Sequence, residues 1–326
     1  MSAPLGSLQH AILKALSTTA GAGGDFLPTP LATDFIKFVR DRNFCRQLFR
    51  VVTMPNKTFD WPKILSAAKV YLESEGGTAT QTNVTTGTVR LTAKKLMSQI
   101  LASEELFEDA NQDFDMIIRD HFAAAVAEAE EESMIVGDTT HTANSVSEAV
   151  ATEADWFTKD NRLSWDGLLT LGGRIASAAP RVDAGSAAMS TAIARQMMYN
   201  LGKYGRVMQD LVLFVNPWSA NELLDDAKLV TIDKYGQNAT IVTGEFGRLY
   251  GKARVINSAF VTDGYAVMTH RSNPVIGDRR KIKIKDEEVI QSDQRRTVVS
   301  VRMDFKVEHH DAICQSYALN LPSEAS

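Results

Sequence analysis

Apolar and polar residues alternate most strictly near the end of the chain. In VSVRMDFKVE, Val299, Val301, Met303, Phe305 and Val307 fall on one side and Ser300, Arg302, Asp304, Lys306 and Glu308 on the other. That period of two predicts an antiparallel strand with one buried and one wet face. DRRKIKIKDEE alternates as well, setting Ile282 and Ile284 against Lys281, Lys283 and Lys285. Between 111 and 136 the rhythm becomes helical. Phe114, Ile117, Ile118, Phe122, Ala125, Ala129 and Met134 form one stripe, which predicts a helix about 39 Å long with Gly137 as its stop.

Upstream, two strand-like runs flank SEGGTATQTNVTTGT (74 to 88), so residues from about 53 to 87 read as one long extended hairpin. An isolated two-stranded hairpin is marginally stable in water, so this one is expected to lie on another surface, in the same chain or another copy. VRLTAKKLM predicts a strand and ILASEELFEDA a short helix, with Ser103 as N-cap and Glu104 and Glu105 in its first turn. From 163 to 277 helices and strands are mixed. SWDGLLTLGGRIASA, AAMSTAIARQMMYNLGKYG and PWSANELLDDA read as helices, the last accepting Pro217 in its first turn, and DLVLFVN, RVINSAF and YAVMTH as strands. At the N-terminus, Leu5, Leu8, Ile12, Leu13 and Leu16 lie at helical spacing before TAGAGGD, which predicts a short amphipathic helix on a tether.

Composition narrows the classes. With 326 residues, 44% hydrophobic, 23% charged, two Cys and 20 Gly, the chain is neither collagen-like, disulfide-stapled nor wholly disordered. Cys45 and Cys314 form no zinc spacing and give no reason to expect an oxidising compartment. No apolar run approaches the roughly 20 residues of a membrane span, and the first residues lack a secretory pattern. The net charge of −5 argues against a chain built to neutralise a phosphate backbone. That total hides a segregation. Residues 104 to 136 carry eleven acids and one base, Arg119, whereas at 271 to 285 Arg271, Arg279, Arg280, Lys281, Lys283 and Lys285 oppose only Asp278. EAEEES (128 to 133) reads most simply as a solvated helix face. A nucleic-acid stripe and a protein-contact strand are both open readings of the basic run, and a complementary surface on another copy would account for both clusters.

No catalytic constellation emerges. His309, His310 and Asp311 are adjacent, but neighbours on a strand point to opposite faces and cannot easily share an ion. His121 borders the helical stripe and has no histidine partner one turn away. GEFGRLYG (244 to 251) and GAGGD have neither dinucleotide nor phosphate-loop spacing, and GxSxG is absent. The expectation is no catalytic, cofactor or metal residue, hence no enzyme and no cofactor.

Taken in order, the segments resemble the tailed-bacteriophage major capsid protein family of HK97-type fold. GGDFLPTPLATDFIKFVRDRNFCRQLFRVVTMP is similar to the family's entry helix and first strand. FDWPKILSAAKVYLESEGGTATQT with VRLTAKKLMSQILASEELFEDA is similar to its extended loop and following strand, with Glu73 or Glu75 near the loop's acidic position. EAEEESMIVGD resembles the end of its spine helix and LVLFVNPWSANELL the central strand and helix of its axial domain. The closing segment from Val275 resembles its C-terminal part, including Thr297, Arg302 and Asp304.

The resemblance implies an α+β fold: an N-terminal arm at 1–34, a helix and strand at 35–51, an E-loop at 52–87, a peripheral domain from 88–155 with 278–326, and an axial domain at 156–277. It implies hexamers and pentamers that close an icosahedral shell around double-stranded DNA, a virion protein assembled in the host cytoplasm. Its partners would be copies of itself, with scaffolding, portal and decoration proteins as further candidates, DNA contacted non-specifically, and no membrane. The candidate contacts between subunits are Lys57, Trp61, Lys63, Lys69, Glu73, Glu75, Arg279, Arg280, Lys281, Lys283 and Lys285.

Some members cross-link an E-loop Lys to a neighbour's Asn with the help of a Glu. Lys57, Lys63 and Lys69 lie in the right region, but Asp293 and Ser300 stand where the Asn and Glu would be, so cross-linking is not expected. About 25 residues precede Phe26, fewer than a built-in scaffold carries, so either a separate scaffolding protein is used or the short N-terminus suffices. The alternatives are an encapsulin-type compartment of the same fold and, more distantly, a soluble α/β enzyme.

Overall fold

The computed structural model describes residues 44–66, 68–105, 114–140, 160–174, 180–226, 248–249 and 252–321. The chain divides into Met1–Val39 and Arg40–Ser326, and every described residue belongs to the second unit. The N-terminal amphipathic segment and most of the entry helix lie outside the described residues.

A short helix α1 (Cys45–Leu48) leads into strand β1 (Arg50–Thr53), then β2 (Thr58–Ser66), β3 (Thr85–Thr92), β4 (Lys94–Ser103) and helix α2 (Phe114–Val136). β2 and β3 pair only with each other, from Thr58↔Thr92 to Ser66↔Thr85, so the hairpin expected over about 53 to 87 is paired only at its base, and residues 68–84 between the strands carry no strand. β4 runs further than its sequence predicts. The strand-like run ends at Met97, but Ile100, Leu101 and Ala102 of the following segment are paired to Thr297, Arg296 and Arg295, and a ladder partner along the whole segment overrides a weak local preference. Helical conformation starts at Glu104 and Glu105, the first-turn residues expected after Ser103.

The second half supplies α3 (Leu168–Arg174), β5 (Arg181–Asp183), α4 (Thr191–Asn200), β6 (Leu211–Val215), α5 (Pro217–Asp225), β7 (Arg248–Leu249), β8 (Ala253–Asn257), β9 (Ala266–His270), β10 (Pro274–Val289), β11 (Gln294–Val307) and β12 (Ile313–Tyr317). Two caps match the sequence chemistry. Ser190 accepts a bond from Ile193 N at the start of α4, and Asn216 accepts one from Ser219 N before Pro217 at the first turn of α5.

β1, β10, β11 and β4 form one sheet in that order, with β1 parallel to β10 and the rest antiparallel. The second sheet runs β5-β12-β9-β6-β8-β7. β6, LVLFV, is buried at every position because both its faces are covered. Val212 and Phe214 enter one core, and Leu211, Leu213 and Val215 another beneath α4 and α5. The first core joins the two sheets. Ile276, Met303 and Phe305 meet Phe214, Val267 and Ile313 there, around Met134, Ile135 and Trp165. Phe49 sits between Phe214 and Phe305, with ring centroids at 5.9 and 6.3 Å.

The strict alternation of β11 holds, with Val299, Val301, Met303, Phe305 and Val307 all buried. On α2 the buried stripe is Ile118, Phe122 and Val126, packed on Val299 and Val301. Ala125 and Ala129 are only half-buried. In β10, Ile284 packs under α2 but Ile282 is exposed. Register shifts between Asp278 and Arg280 and between Arg280 and Lys283 break the alternation that the sequence implies. β12 also departs from the expected division. Residues 313–317 were grouped with the four-stranded part, yet they pair with β5 and β9.

Helix α2 ends at Val136 as expected of Gly137. The reason is close approach: a Cβ there would collide with the backbone oxygens of Ser133 and Trp165. Gly137→Ala is expected to cost about 1–3 kcal/mol by overpacking, read as a lower urea midpoint with unchanged slope.

Candidate functional site

The hairpin is anchored at its root and open along its length. Met54, Leu91, Ala93 and Val275 form a small core there, with Phe59 and Trp61 against it. Trp61 lies edge-on to Phe59 at 6.0 Å, and the Arg50 guanidinium sits 4.3 Å from its ring centroid. Arg50 also pairs with Glu308. Met54 N donates to Asp278 O at 2.8 Å, Ala93 N to Lys57 O at 2.8 Å, and Lys63 Nζ to Glu308 O at 2.6 Å. Gly277 lets this root approach the sheet, since a Cβ on it would stand 2.7 Å from Met54 Sδ.

Asp304 is the polar pin of the root. Its carboxylate accepts from Thr92 N at 2.6 Å and from Phe305 N at 2.9 Å. Burial holds its pKa above the usual carboxylate range in spite of those bonds, and burial does the same for Glu132. Between the ordinary and the raised value the folded chain holds more protons than the unfolded one, so stability falls as pH rises through that window and is flat above it. Wild type is therefore expected to gain stability relative to Asp304→Asn as the pH falls from neutrality toward the ordinary Asp value of about 4, measured by urea midpoints across that range.

Beyond the root the hairpin has no cover. Val70 and Leu72 are 99% and 101% exposed, with Ile64, Leu65, Tyr71 and Val84 also open. Glu73 accepts from Thr80 Oγ1 at 2.5 Å, while Lys57, Lys69 and Glu75 are exposed.

The same side of the four-stranded sheet continues past the root as a second open surface. Register sets its composition. Arg280, Arg302 and Lys95 are paired across β10, β11 and β4, followed by Lys283, Ser300 and Met97, then Lys285, Val298 and Gln99, then Glu287, Arg296 and Leu101. Directly opposed residues share a face, so six bases and one acid meet on this side, with Met97 and Leu101 exposed between them. The opposite side is covered by α2. Beyond Thr53 the outer edge of β10 has no strand beside it among the described residues, and its lysines suit an edge that must resist unspecific pairing. Of the predicted basic contacts, Arg279 donates to Met54 O at 3.3 Å and Arg280 to Ser300 Oγ at 2.6 Å, while Lys281, Lys283 and Lys285 are exposed. Lys95 and Met97 lie in the run read as a strand and Leu101 in the one read as a helix; local periodicity singles out none of them, because only cross-strand register brings them beside Arg280, Lys283 and Arg302.

The acidic run is not the solvated face that its sequence suggests. Glu130 and Glu131 are 2% and 1% exposed. Arg46 bridges Glu130, at 2.6 and 3.0 Å, and Asp278, at 2.8 and 3.1 Å. Glu131 accepts from Phe44 N at 2.9 Å and Ser258 Oγ at 3.0 Å. Burial disfavours the charged guanidinium, but the bonds to Glu130 and Asp278 outweigh it and raise the Arg46 pKa. Further out, Arg119 binds Asp115 at 2.7 Å and Asp286 at 2.9 Å, and Thr297 Oγ1 donates to Asp286 at 2.8 Å. Much of the acidic segment is thus neutralised within the chain.

His310 is half-buried, and burial lowers its pKa, as does Lys63. Among the described residues no group of three or more His, Cys, Asp or Glu could hold a metal ion, and no helix is long and apolar enough to cross a membrane.

Residues 23–315 match the phage capsid family. The chain belongs to that family. Major capsid proteins of Klebsiella oxytoca phage phiKO2 and Escherichia phage T5 are each 25% identical to this capsid-family chain, over 132 and 146 residues. Those stretches are 40% and 43% of this chain and 31% and 32% of the relatives, so the chain spans about a third of the length of the curated relatives it matches. Among solved structures, the capsid of a native GTA particle superimposes with a TM-score of 0.69 at 15% identity, covering 92% of this chain and 98% of that one. The chain of Microbacterium phage Oxtober96 gives 0.66 at 13% identity, with 92% and 99% covered. These phage-capsid likenesses establish the α+β HK97-type fold of this family member.

Proposed function

We propose that this chain is the major capsid protein of a tailed phage, self-assembling as hexamers and pentamers into an icosahedral shell around double-stranded DNA in the host cytoplasm, with a structural role and no catalysis. The observation that carries this is the extended loop: a two-stranded base, β2 with β3, leads into residues 68–84, which are outside the paired strands and hold Val70 and Leu72 fully in water, and such an arm has no reason to be stable unless another surface receives it. The basic sheet face of a neighbouring copy is the receiving surface we propose. Val70, Tyr71 and Leu72 would lie on Met97 and Leu101, with Glu73 and Glu75 toward Lys95, Lys283 and Lys285, a contact that weakens with salt.

In this reading residues 1–34 are an arm, 52–87 the E-loop, and 88–155 with 278–312 the peripheral domain around α2 and the four-stranded sheet. Residues 156–277, with β12, form the axial domain. Scaffolding, portal and decoration proteins are further partners.

Electron microscopy of the expressed full chain tests the proposal. Closed shells or hexamers and pentamers are expected, and a monomer at micromolar concentration would overturn it. Native particles should contain DNA, and protein cargo in its place would favour an encapsulin-type compartment. Asp293 lies in the β10–β11 turn with φ 49°, and Ser300 accepts a bond from Arg280. Asp293 lacks the side-chain amide and Ser300 the carboxylate that cross-linking needs at those places, so denaturing electrophoresis of mature shells is expected to give a single monomer band.

A further inference from the structure

Helices α4 and α5 lie on the same face of the six-stranded sheet, over Leu211, Leu213 and Val215. They meet end to end. Thr191, at the start of α4, donates its N and Oγ1 to Asp226, just past α5, at 2.9 and 2.6 Å. From that junction the helices lead to two different surfaces. Past the far half of α4 is an open groove of about 500 Å³ with a largely apolar lining that includes Met198, Tyr199 and Met208 together with Arg195 and Arg206. Tyr199 is 84% exposed. On α5 the outward stripe is Trp218, Asn221, Leu224 and Asp225.

One surface is an apolar groove carrying Arg195 and Arg206; the other is a helix face with Trp218 and Leu224 beside the carboxylate of Asp225. Tyr, Trp, Met and Arg are the side chains that dominate protein interfaces. Because the two complementary surfaces are distinct and belong to one lobe, a second copy can satisfy both only by head-to-tail contact, which closes into a ring when the rotation per copy divides a full turn. We infer that the groove beside α4 receives the outer face of helix α5 from a neighbouring copy, a heterologous contact that sets the ring of axial lobes within each capsomer. This rests on the shell reading and adds to it an interface separate from the hairpin.

Cross-linking in the full chain tests the inference. The native thiols do not interfere, since Cys45 and Cys314 are both buried and burial raises their pKa, that of Cys314 to about 12. Particles carrying both Tyr199→Cys and Asn221→Cys, treated with a short flexible bismaleimide, are expected to give a ladder of covalent oligomers on denaturing electrophoresis. Either substitution alone should give monomer. Dimers from Tyr199→Cys alone would mean a self-complementary contact and overturn the inference, as would intact particles of the double variant without a ladder. Charge reversal is the second arm. Arg206→Glu and Asp225→Arg should each reduce particle yield at least tenfold at low salt, with unchanged thermal melting of the unassembled chain. Yields equal to wild type in both would also overturn it. Absence of particles from the unaltered chain would instead refute the shell reading itself.

Discussion

Replacing Val70 and Leu72 together by aspartate is expected to leave the fold of the single chain intact and to abolish shell formation. Neither side chain has protein around it within the chain, since both are about as exposed as in an extended peptide. The unfolding midpoint of the dissociated chain should therefore stay within about 0.5 kcal/mol of wild type, as for ordinary surface changes. In an assembled particle the same positions would be covered. Burying a Val or Leu side chain contributes about 1.5–3 kcal/mol, and a carboxylate in its place must be desolvated without a partner. Losing roughly 4 kcal/mol per hairpin raises the dissociation constant of each contact nearly a thousandfold. Each copy donates one hairpin and receives another, so the penalty repeats around every ring. Light scattering and electron microscopy at the wild-type assembly concentration should show no particles. Normal shells from this variant would sink the role proposed for the hairpin.

Much of the architecture was legible in the chain because it is written in local periodicity. The alternation of β11, the helix of α2 and the Asn216-Pro217 start of α5 match the structure, and of the α2 stripe Ile118, Phe122 and Met134 are buried. What periodicity does not carry is pairing. Ile100 to Ser103 became strand because β11 lies alongside, and Ile282 turned outward because β10 shifts register near Arg280. β12 crossed to the other sheet for the same kind of reason: its partners, β5 and β9, are more than forty positions away.

The charges show the limit most clearly. Six bases on one sheet face are not adjacent in sequence; Lys95 joins Arg280 and Arg302 only through cross-strand register. The acidic run misled in the opposite direction. EAEEES has no feature that separates a solvated Glu from a buried one, since the difference lies in Arg46, 84 positions away from Glu130. Segregation of acids and bases along the chain therefore did not mean segregation on the surface. The basic sheet face is open, whereas a substantial part of the acidic helix is spent on holding the entry of the chain in place.

Arg46→Met should accordingly be among the most damaging single substitutions outside the apolar core. The methionine keeps the aliphatic packing of the stem and removes only the guanidinium. Glu130 and Asp278 would then keep their burial and lose the cation between them, at 3% and 11% side-chain exposure. Removing one member of a buried ion pair costs about 3–5 kcal/mol, because the remaining charge is left uncompensated. The partial access of water to Arg46 itself, 31% exposed, places the expected loss near the lower end, about 3 kcal/mol. The loss should appear as a lower urea midpoint of the dissociated chain. Adding Glu130→Gln and Asp278→Asn to Arg46→Met should restore most of it, since the neutral triple variant has no stranded charge. A triple variant no more stable than Arg46→Met would mean that the guanidinium acts through its shape and hydrogen bonds. Recovery would show that α1, α2 and β10 are held at this junction by charge compensation. It would also explain why the acids of α2 cannot all be available to a neighbouring subunit.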